Sequence, residues 1–242
     1  MIENKIVYLN SLLKDQREIP KIVSKDPLLK QISQQKADEY VNNLECNFMT
    51  ILSENYPNSL KILPNPPWII YYKGNIDLLK KVLVGIIGTS SPSMYGLKAT
   101  ADVIRVIKKE KALLCECKKG ICKQAIISAT ANGINIVSIS NCVDDFKSDF
   151  IKRVTDKNLV ITTNLNENFD QSWFDNVQMI LSNELIVIEG NEKSSCIDKI
   201  KIAINNGLNI YALPGNIYEQ NSYITNVLIN DGAKVIYLGV EI

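Results

Sequence analysis

The chain has 242 residues, of which 46% are hydrophobic, and a formal net charge of +1. It is long enough to bury a full core, in one large domain or in a large domain with a small one. No apolar run reaches the roughly 20 residues of a membrane-spanning helix, and the first five residues lack the pattern of a signal peptide. We therefore predict a cytoplasmic protein, and the near-neutral charge gives no bulk electrostatic argument for nucleic-acid binding.

The histidine and cysteine content limits the possible chemistry. The chain contains no histidine, so the commonest general base and a frequent metal ligand are both absent. Three of its six cysteines lie close together, with the spacing Cys115-x-Cys117-x4-Cys122. This spacing matches none of the usual zinc-binding pairs, and a chain without an export signal favours free thiols over disulfides. We therefore predict neither a metal site nor a cofactor.

Residues 1–45 form the first segment of the chain. Their apolar residues, beginning with Ile6 and Leu9, recur with loose helical periodicity. They predict a small helical N-terminal segment, followed by one α/β domain over residues 46–242. A short strand is predicted at Cys46–Leu52. The prolines between Tyr56 and Pro67 interrupt regular structure and predict a rigid linker.

From Trp68 onward, short apolar runs rich in β-branched residues alternate with longer segments of helical periodicity. The predicted strands are Trp68–Tyr72, Val82–Ile87, Ala112–Cys115, Asn135–Ile139, Leu159–Thr162, Leu185–Glu189, Asn209–Leu213 and Lys234–Leu238. The predicted helices are Leu97–Lys109, Ile121–Asn132, Asp144–Val154, Gln171–Ser182, Ser195–Asn206 and Ser222–Asp231. Left-handed residues that end helices are predicted at Gly133, Gly207 and Gly232. The alternation predicts an extended Rossmann-like α/β fold with a doubly wound, mainly parallel sheet, in which ligands bind beyond the carboxyl ends of the strands.

The most informative segment is Val82–Gly96, which reads as a buried strand, a turn of small residues and the start of a helix. Such a turn lets backbone N–H groups at the helix N-terminus face an anion, and we expect the chain to hold a phosphate there. The spacing Gly85-x-x-Gly88 fits neither the G-x-G-x-x-G fingerprint nor a P-loop. A dinucleotide enzyme and a P-loop ATPase are therefore disfavoured.

A second turn of small residues, Leu213-Pro-Gly-Asn216, also follows a predicted strand. In a parallel sheet it opens on the same rim as the first turn, and together the two turns make a cradle for a phosphate backbone. Charged residues also follow two of the strands. Glu189 is predicted to be a solvated or capping carboxylate, and Lys118-Lys119 a solvated pair.

These motifs, taken in order, resemble the DNA-processing protein A family, DprA or Smf, across residues 45–238. The resemblance begins with Tyr56-Pro-x-x-Leu60, Pro66-Pro67 and Tyr72-Lys-Gly74. It continues with Ile87-Gly-Thr-Ser-x-x-Ser-x-Tyr-Gly96, which is similar to the family's Val-Gly-Ser-Arg-x-x-Ser-x-Tyr-Gly. It ends with Pro214-Gly-Asn216 and Thr225-Asn-x-Leu-Ile-x-x-Gly-Ala233, which follow the family's terminal motif.

The resemblance implies an extended Rossmann fold and a non-catalytic protein that binds single-stranded DNA. It further implies a homodimer, a role in natural transformation, and the loading of the recombinase RecA onto DNA. It also implies the residues that contact the DNA or its phosphates. These are Gly88, Thr89, Ser90, Ser93, Tyr95, Gly96, Lys118, Lys119, Gly120, Asn176, Pro214, Gly215, Asn216, Thr225 and Asn226.

The sequence departs from the family pattern where the family carries cations. Ser90 stands where the family's Gly-Ser-Arg motif has arginine, which removes a bidentate phosphate donor. The family's Ser-Gly-Leu-Ala-x-Gly-Ile-Asp motif becomes residues 115–122, where Lys118 and Lys119 restore some positive charge. The Arg-Asn-Arg motif aligns with residues 175–177, which keep Asn176 and replace one cation by Asp175. We therefore predict weaker binding of single-stranded DNA than the family pattern implies.

Two other hypotheses fit the same observations. The first is a nucleotide-binding sensor or enzyme on a related scaffold, similar to the cytokinin-activating phosphoribohydrolases. Asn216 stands against that hypothesis, because it interrupts the Pro-Gly-Gly-x-Gly-Thr motif of those enzymes. The second is a degenerate relative that has kept the fold and the dimer surface and has lost its DNA ligand, as the replaced cations suggest.

Overall fold

A computed structural model of the chain describes residues 2–13, 15–25, 28–116, 119–148, 151, 157–166 and 170–237, which contain one nine-stranded sheet. The strands are β1 (Asn47–Thr50), β2 (Ile69–Gly74), β3 (Leu83–Ile87), β4 (Ala112–Glu116), β5 (Asn135–Ile139), β6 (Leu159–Thr162), β7 (Glu184–Val187), β8 (Asn209–Ala212) and β9 (Lys234–Val235). The helices are α1 (Ile2–Leu12), α2 (Ile19–Lys25), α3 (Leu28–Gln31), α4 (Gln34–Asn42), α5 (Met94–Arg105), α6 (Gly120–Asn132), α7 (Gln171–Leu181), α8 (Cys196–Asn205) and α9 (Tyr223–Asn230). Short 3₁₀ helices span Gln16–Glu18, Asn58–Ile62, Ile76–Lys80, Val143–Lys147 and Gln220–Ser222.

The strand order across the sheet is β1-β2-β6-β5-β4-β3-β7-β8-β9. β1 and β2 form an antiparallel edge, and the strands from β6 to β9 in this order are parallel. From β3 the chain adds β4, β5 and β6 on one side and then returns to add β7, β8 and β9 on the other. The predicted fold class is therefore confirmed. The winding reverses beside β3, which is where ligands bind in folds of this class.

The central strands are buried on both faces. Every residue of β3 and β4 is buried, as expected for parallel strands covered by helices on both sides. On one face, β3 and β4 pack with Val103 of α5 and Ile126 of α6. On the other face, the sheet packs against Phe174 and Val177 of α7. The two layers of helices hold the carboxyl ends of β3, β4 and β7 rigidly next to one another.

The start of α5 differs from the prediction by one turn. The helix begins at Met94 rather than at Leu97, because the side chain of Ser93 accepts a hydrogen bond from Gly96 N and caps the helix there. It ends at Arg105, four residues before the predicted end. The small residues of the predicted turn therefore belong partly to the first turn of the helix.

The predicted helix Asp144–Val154 is wrong in its first part. The chain forms a 3₁₀ helix over Val143–Lys147 and then becomes extended at Ser148. The carboxylate of Asp145 accepts hydrogen bonds from Ser140 Oγ and Asn141 N, which keeps this segment in a tight local turn. Residues 149–150 and 152–156 lie outside the described residues.

The glycines predicted to end helices have the expected conformation. Gly133, Gly207 and Gly232 all have positive φ, between 67° and 99°, and a left-handed residue satisfies the last carbonyls of a helix.

Helix α6, with 13 residues, illustrates the short helices of this fold. Throughout the described ranges, no helix has the length and apolar character needed to cross a membrane.

The N-terminal helices pack onto the sheet. Ile6 and Val7 of α1 are buried in the same hydrophobic cluster as the central strands. Asn10 Nδ2 donates to the hydroxyl of Tyr71 at 2.9 Å. The side chain of Gln16 accepts from Ile69 N and donates to Ile69 O, so it pairs with the backbone of β2. Buried polar contacts of this kind fix the orientation of the helical segment against the sheet.

The predicted rigid linker between Tyr56 and Pro67 is wrong. Tyr56 is buried and donates from its hydroxyl to Pro67 O, and Leu60 is fully buried. Trp173 Nε1 of α7 donates to Asn65 O at 2.8 Å. The prolines stiffen the segment, but its apolar side chains pack against α7 and β2 and make it part of the core.

Candidate functional site

The turn after β3 is held between two other elements. Thr89 N donates to Glu189 O, just beyond the end of β7, and Ile121 N of α6 donates to Thr89 O. A Cβ atom at Gly88 would lie 2.6 Å from Cγ1 of Ile121. Glycine is needed here because the backbone of the turn packs directly against the first turn of α6. Thr89 itself is buried.

The N-terminus of α5 already carries an anion. The carboxylate of Glu189 accepts hydrogen bonds from Ser93 N at 3.0 Å and from Ser93 Oγ at 2.5 Å, and only 3% of Glu189 is exposed. A Cβ atom at Gly96 would collide with this carboxylate. The anion expected at this helix end is therefore a side chain of the protein itself. Of the two roles predicted for Glu189, capping is confirmed and solvation is wrong.

The second turn lies beside the first. The hydroxyl of Tyr95 donates to Pro214 O at 2.6 Å, which joins the start of α5 to the segment after β8. The side-chain amide of Asn226 accepts from Gly215 N and donates to Gly215 O, which fixes the turn against α9. Asn221 Nδ2 donates to Ser91 O. The prediction that the two turns share one rim of the sheet is confirmed.

A cavity of about 490 Å³ lies between the two turns. We call it the turn cavity, and its described lining residues are Ser93, Met94, Tyr95, Glu189, Pro214, Gly215, Asn216, Glu219, Asn221 and Ser222. The charged side chains among these residues are the carboxylates of Glu189 and Glu219. Burial and the nearby Glu189 carboxylate raise the pKa of Tyr95. The electrostatics of this cavity therefore do not favour a phosphate.

A second cavity, of about 310 Å³, opens at Gly88 and Ser90. We call it the strand-end cavity, because it lies beyond the carboxyl ends of β3 and β4. Its described lining residues are Ile87, Gly88, Ser90, Glu116, Lys119, Cys122, Gln171, Asp175, Ser195, Cys196 and Lys199. They come from β3, β4, α6, α7 and α8 and their flanking turns, so the cavity is assembled by the reversal of the winding beside β3.

Lys199 of α8 forms a buried ionic cluster at this cavity. Its ammonium contacts the Glu116 carboxylate, lies 3.5 Å from Asp175 Oδ1 and donates to Gln178 Oε1 at 2.8 Å. At most 10% of the side chain of Lys199, Glu116 or Asp175 is exposed. Burial lowers the pKa of Lys199, whereas adjacent carboxylates favour its charged form. Gln171 Nε2 also donates to Asp175 Oδ1, at 2.7 Å.

Lys119 and Gly120 lie where the sequence predicted, at the rim. Lys119 is exposed, immediately before α6, and lines the strand-end cavity together with Ser90. Gly120 has φ +65°, and a Cβ atom there would clash with the backbone of Thr89 and Ser90. Lys118 and Cys117 lie outside the described residues. Lys119 is thus the predicted cation that the structure places at the cavity.

Three other predicted residues serve local structure. Asn176 lines neither cavity, and its Nδ2 donates to Ser172 O within α7. Thr225 is buried and donates to Ser222 O. Asn216 accepts from Tyr218 N, two residues further along the chain. Direct contact of these residues with DNA stays a prediction.

The described cysteines are free thiols, namely Cys46, Cys115, Cys122, Cys142 and Cys196. Within the described ranges, no three side chains of histidine, cysteine, aspartate or glutamate come together in a way that would hold a metal ion. Burial raises the pKa of Cys196, so this thiol at the strand-end cavity is a poor nucleophile at neutral pH.

Lys199, the centre of the ionic cluster, is not among the site residues predicted from the sequence. The signal was present in the periodicity of α8. Cys196, Ile200 and Ala203 are buried, and Lys199 lies on the same helix face at position i+3 from Cys196. A lysine on the apolar face of an amphipathic helix needs a buried anionic partner. The sequence alone did not show which carboxylates supply it.

The doubly wound sheet, with two turns of small residues on one rim, defines a Rossmann-like α/β protein, a class in which ligands bind beyond the carboxyl ends of the strands. The profile of the DNA recombination-mediator protein A family matches residues 47–242. The chain belongs to this family.

Individual relatives agree with this assignment. DNA processing protein DprA of Streptococcus pneumoniae is 28% identical over 202 residues, which cover 80% of this chain and 72% of the relative. DprA of Bacillus subtilis is 26% identical over 219 residues, which cover 81% and 70%. Both are DNA processing proteins by name.

Solved structures show the same fold. The crystal structure of S. pneumoniae DprA has a TM-score of 0.77 and 24% identity, and the match covers 99% of this chain and 91% of that one. A structure of DNA processing protein A from Helicobacter pylori has a TM-score of 0.68 and 22% identity. It was solved to show how that protein binds single-stranded DNA. That match covers 81% of this chain and 92% of the other.

Proposed function

We propose that this chain is a non-catalytic DNA processing protein that binds single-stranded DNA in the cytoplasm. The observation that carries the proposal is the hydrogen bond from Tyr95 to Pro214 O. It joins the two turns that match the family's motifs into one rim, and the chain belongs to the family over residues 47–242. The related H. pylori protein binds single-stranded DNA.

Lys119 is the described cation best placed to meet a phosphate. It is exposed at the mouth of the strand-end cavity, immediately before α6. The other charged side chains among the described lining residues of the two cavities are carboxylates and Lys199, which is already paired with carboxylates. Because each phosphate contact contributes about 0.7 to the magnitude of the log–log salt slope for a single strand, the one contact of Lys119 predicts weak binding with a slope of about 0.7.

Fluorescence anisotropy with a labelled dT 20-mer at low salt tests this proposal. We expect salt-sensitive binding that Lys119→Glu weakens. Lys123→Glu is the matched control, because Lys123 is exposed one turn further along α6 and lines neither cavity. Absence of binding by the unchanged chain at low salt would reject DNA binding. An equal loss of DNA affinity in both variants would show that Lys119 contributes no more to binding than Lys123, which lies outside the cavities.

The loop after Gly215 and helix α9 present an apolar surface that fits a second copy of the chain. Ile217 is 80% exposed and Tyr218 is 88% exposed, and Tyr223 and Val227 continue the surface on α9. Neighbouring exposed apolar side chains of this kind favour protein association. We expect a dimer in sedimentation that Tyr218→Glu dissociates, whereas Ile62→Glu, at another exposed apolar residue, leaves it intact.

Loading of RecA and a role in natural transformation belong to the same proposal. Their support is the family membership of residues 47–242. The direct test is the rate at which RecA assembles on single-stranded DNA with and without this chain. Acceleration that is lost in the Lys119→Glu variant supports the role, and an unchanged rate argues against it.

One observation favours an alternative, a relative that has lost its DNA ligand. Carboxylates of Glu189 and Asp175 stand where anion binding would need positive charge. Sedimentation with and without an oligonucleotide separates the two functions, because a dimer that does not shift with DNA supports the alternative.

A further inference from the structure

The end of the sheet opposite the candidate site carries several lysines. The parallel strands begin at this end, because their carboxyl ends meet at the rim of the two turns. We call it the amino-end surface and define it by the residues that lie just before these strands or at their first positions. The described ones are Asp77, Lys80, Lys81, Lys108, Lys109, Glu110, Lys111, Asn135, Lys157, Asn158 and Glu184.

Hydrogen bonds join the residues before β3, β4, β5 and β6 into one continuous surface. Lys81 Nζ donates to Asn135 Oδ1 at 2.8 Å and to Lys109 O at 3.4 Å. The side chain of Asn158, next to Lys157, accepts from a backbone N–H of β5 at 2.8 Å. Neighbouring strands lie about 4.8 Å apart, so the row of residues from β3 across to β6 is about 14 Å long.

Two lysines of the amino-end surface are paired with carboxylates. Lys80 lies 2.7 Å from Asp77, and Lys111 lies 2.8 Å from Glu184 at the start of β7. These pairs cancel their own charges and leave the net charge of the surface to the other residues.

Three further lysines give the surface a net positive charge. The ammonium of Lys81 donates to neutral oxygens. Lys109 and Lys157 are exposed, and no carboxylate in the described part of the chain contacts them. Glu110 opposes these three lysines with one exposed carboxylate. By contrast, the described charged side chains that line the turn cavity are all carboxylates.

The composition of the amino-end surface favours a phosphate backbone over a protein as its partner. The core of a protein–protein interface is enriched in aromatic residues, methionine and arginine and is depleted in lysine. The residues that define the amino-end surface are lysine, asparagine, aspartate and glutamate. A lysine ammonium is a point charge that binds phosphate oxygens without demanding one geometry, and such contacts are independent of base sequence.

We propose that the amino-end surface is a second contact surface for the phosphate backbone of single-stranded DNA, with Lys81, Lys109 and Lys157 facing the phosphates. The identity of the ligand rests on the proposed function. The location does not, because this surface lies at the opposite end of the sheet from Lys119 and the two turns. It supplies cations that the candidate-site rim lacks.

The salt dependence of DNA binding tests this proposal. Each phosphate contact adds about 0.7 to the magnitude of the log–log salt slope, so three contacts add about 2 to the slope of about 0.7 that Lys119 alone predicts. Fluorescence anisotropy of a labelled dT 20-mer at several salt concentrations measures the slope. In the double variant Lys109→Glu with Lys157→Glu, we expect weaker binding and a slope reduced by at least about 1.4.

A second double variant controls for the change in net charge. Lys30→Glu with Lys36→Glu alters the charge by the same amount, and both lysines are exposed on α3 and α4, outside the amino-end surface. We expect this variant to keep the slope of the unchanged chain. Thermal melting checks that both variants are folded.

The outcomes separate this proposal from the proposed function. A slope of about 0.7 for the unchanged chain, or an equal reduction in both double variants, overturns the second surface and leaves DNA binding in place. A labelled poly-glutamate peptide is the other ligand. If the variant at Lys109 and Lys157 loses the peptide but keeps the DNA slope, the surface binds an acidic polypeptide and the proposal is overturned. Absence of DNA binding by the unchanged chain overturns the proposed function, and the second surface with it.

Discussion

The turn cavity and the strand-end cavity lie on the same rim. The turn cavity contains one buried carboxylate and the strand-end cavity contains two, and the protein stabilises them differently. In the turn cavity, Glu189 accepts from Ser93 N and Ser93 Oγ at the positive end of α5. In the strand-end cavity, Glu116 and Asp175 share one ammonium, that of Lys199. In the turn cavity, neutral hydrogen-bond donors and the dipole of α5 together stabilise the Glu189 carboxylate. The second site is an ion-pair cluster whose described ammonium comes from α8, so its stability depends on a charged side chain far away in sequence.

The largest expected effect tests the dependence of the strand-end cavity on Lys199. Lys199→Met removes the ammonium that contacts both the Glu116 and the Asp175 carboxylate, and breaking a buried ion pair in this way costs about 3–5 kcal/mol of unfolding free energy. Urea unfolding at pH 7 measures this cost. Lys201→Met is the control, because Lys201 is exposed on the same helix, and a change within about 0.5 kcal/mol is expected there. Similar losses in both variants would mean that the buried cluster contributes no more than a surface ion pair.

The next effect tests the close packing of the turn cavity. Gly96→Ala places a methyl group against the Glu189 carboxylate, and overpacking of a buried site costs about 1–3 kcal/mol. Thermal unfolding measures the loss. Lys98→Ala, at an exposed position of the same helix, is the control. An unchanged melting temperature for Gly96→Ala would show that the carboxylate moves freely and is not held by the start of α5.

A smaller effect isolates the hydroxyl that caps α5. Ser93→Ala removes the acceptor for Gly96 N and the donor to Glu189, so we expect a loss of about 1–2 kcal/mol. Ser195→Ala is the matched control, since Ser195 precedes α8 without a side-chain capping bond. If both substitutions cost the same, the neutral donors at Glu189 are not what stabilises the turn cavity.

The smallest expected loss of unfolding free energy is that of an exposed ion pair, and it is the reference against which the losses at the two buried sites are compared. The hydrogen bond from Arg17 lowers the pKa of Asp170, and the two side chains are 35% and 40% exposed. A carboxylate with a lowered folded-state pKa stabilises the fold above its unfolded pKa of about 3.9, and this contribution is lost as the pH falls through the folded value. Arg17→Met should therefore cost less than about 1 kcal/mol at pH 7. Unfolding experiments at decreasing pH should show the difference from the unchanged chain shrinking below about pH 4, and a constant difference would contradict this account.

Several features of the fold could be predicted because they depend on neighbours in sequence. The alternation of apolar runs and helical periodicity after Trp68 predicted the doubly wound sheet, and Gly133 has the left-handed conformation that ends α6. The prediction failed where distant contacts decide. Tyr56 and Leu60 looked like part of a proline-rich linker, yet they are buried against α7.

The same division applies to the candidate site. The sequence by itself determined the two turns of small residues. Gly88 permits a close approach of the backbone, and proline, glycine and asparagine in Pro214–Asn216 are residues that favour turns. It also placed them on one rim, because the carboxyl ends of parallel strands meet at one edge of a sheet. Only the tertiary structure decided which charges meet there. Glu189 reaches Ser93 across 96 positions of sequence, and Lys199 of α8 reaches Glu116 at the end of β4. Electrostatic pairing depends on distance in space, and periodicity along the chain does not encode which residues so far apart in sequence will meet.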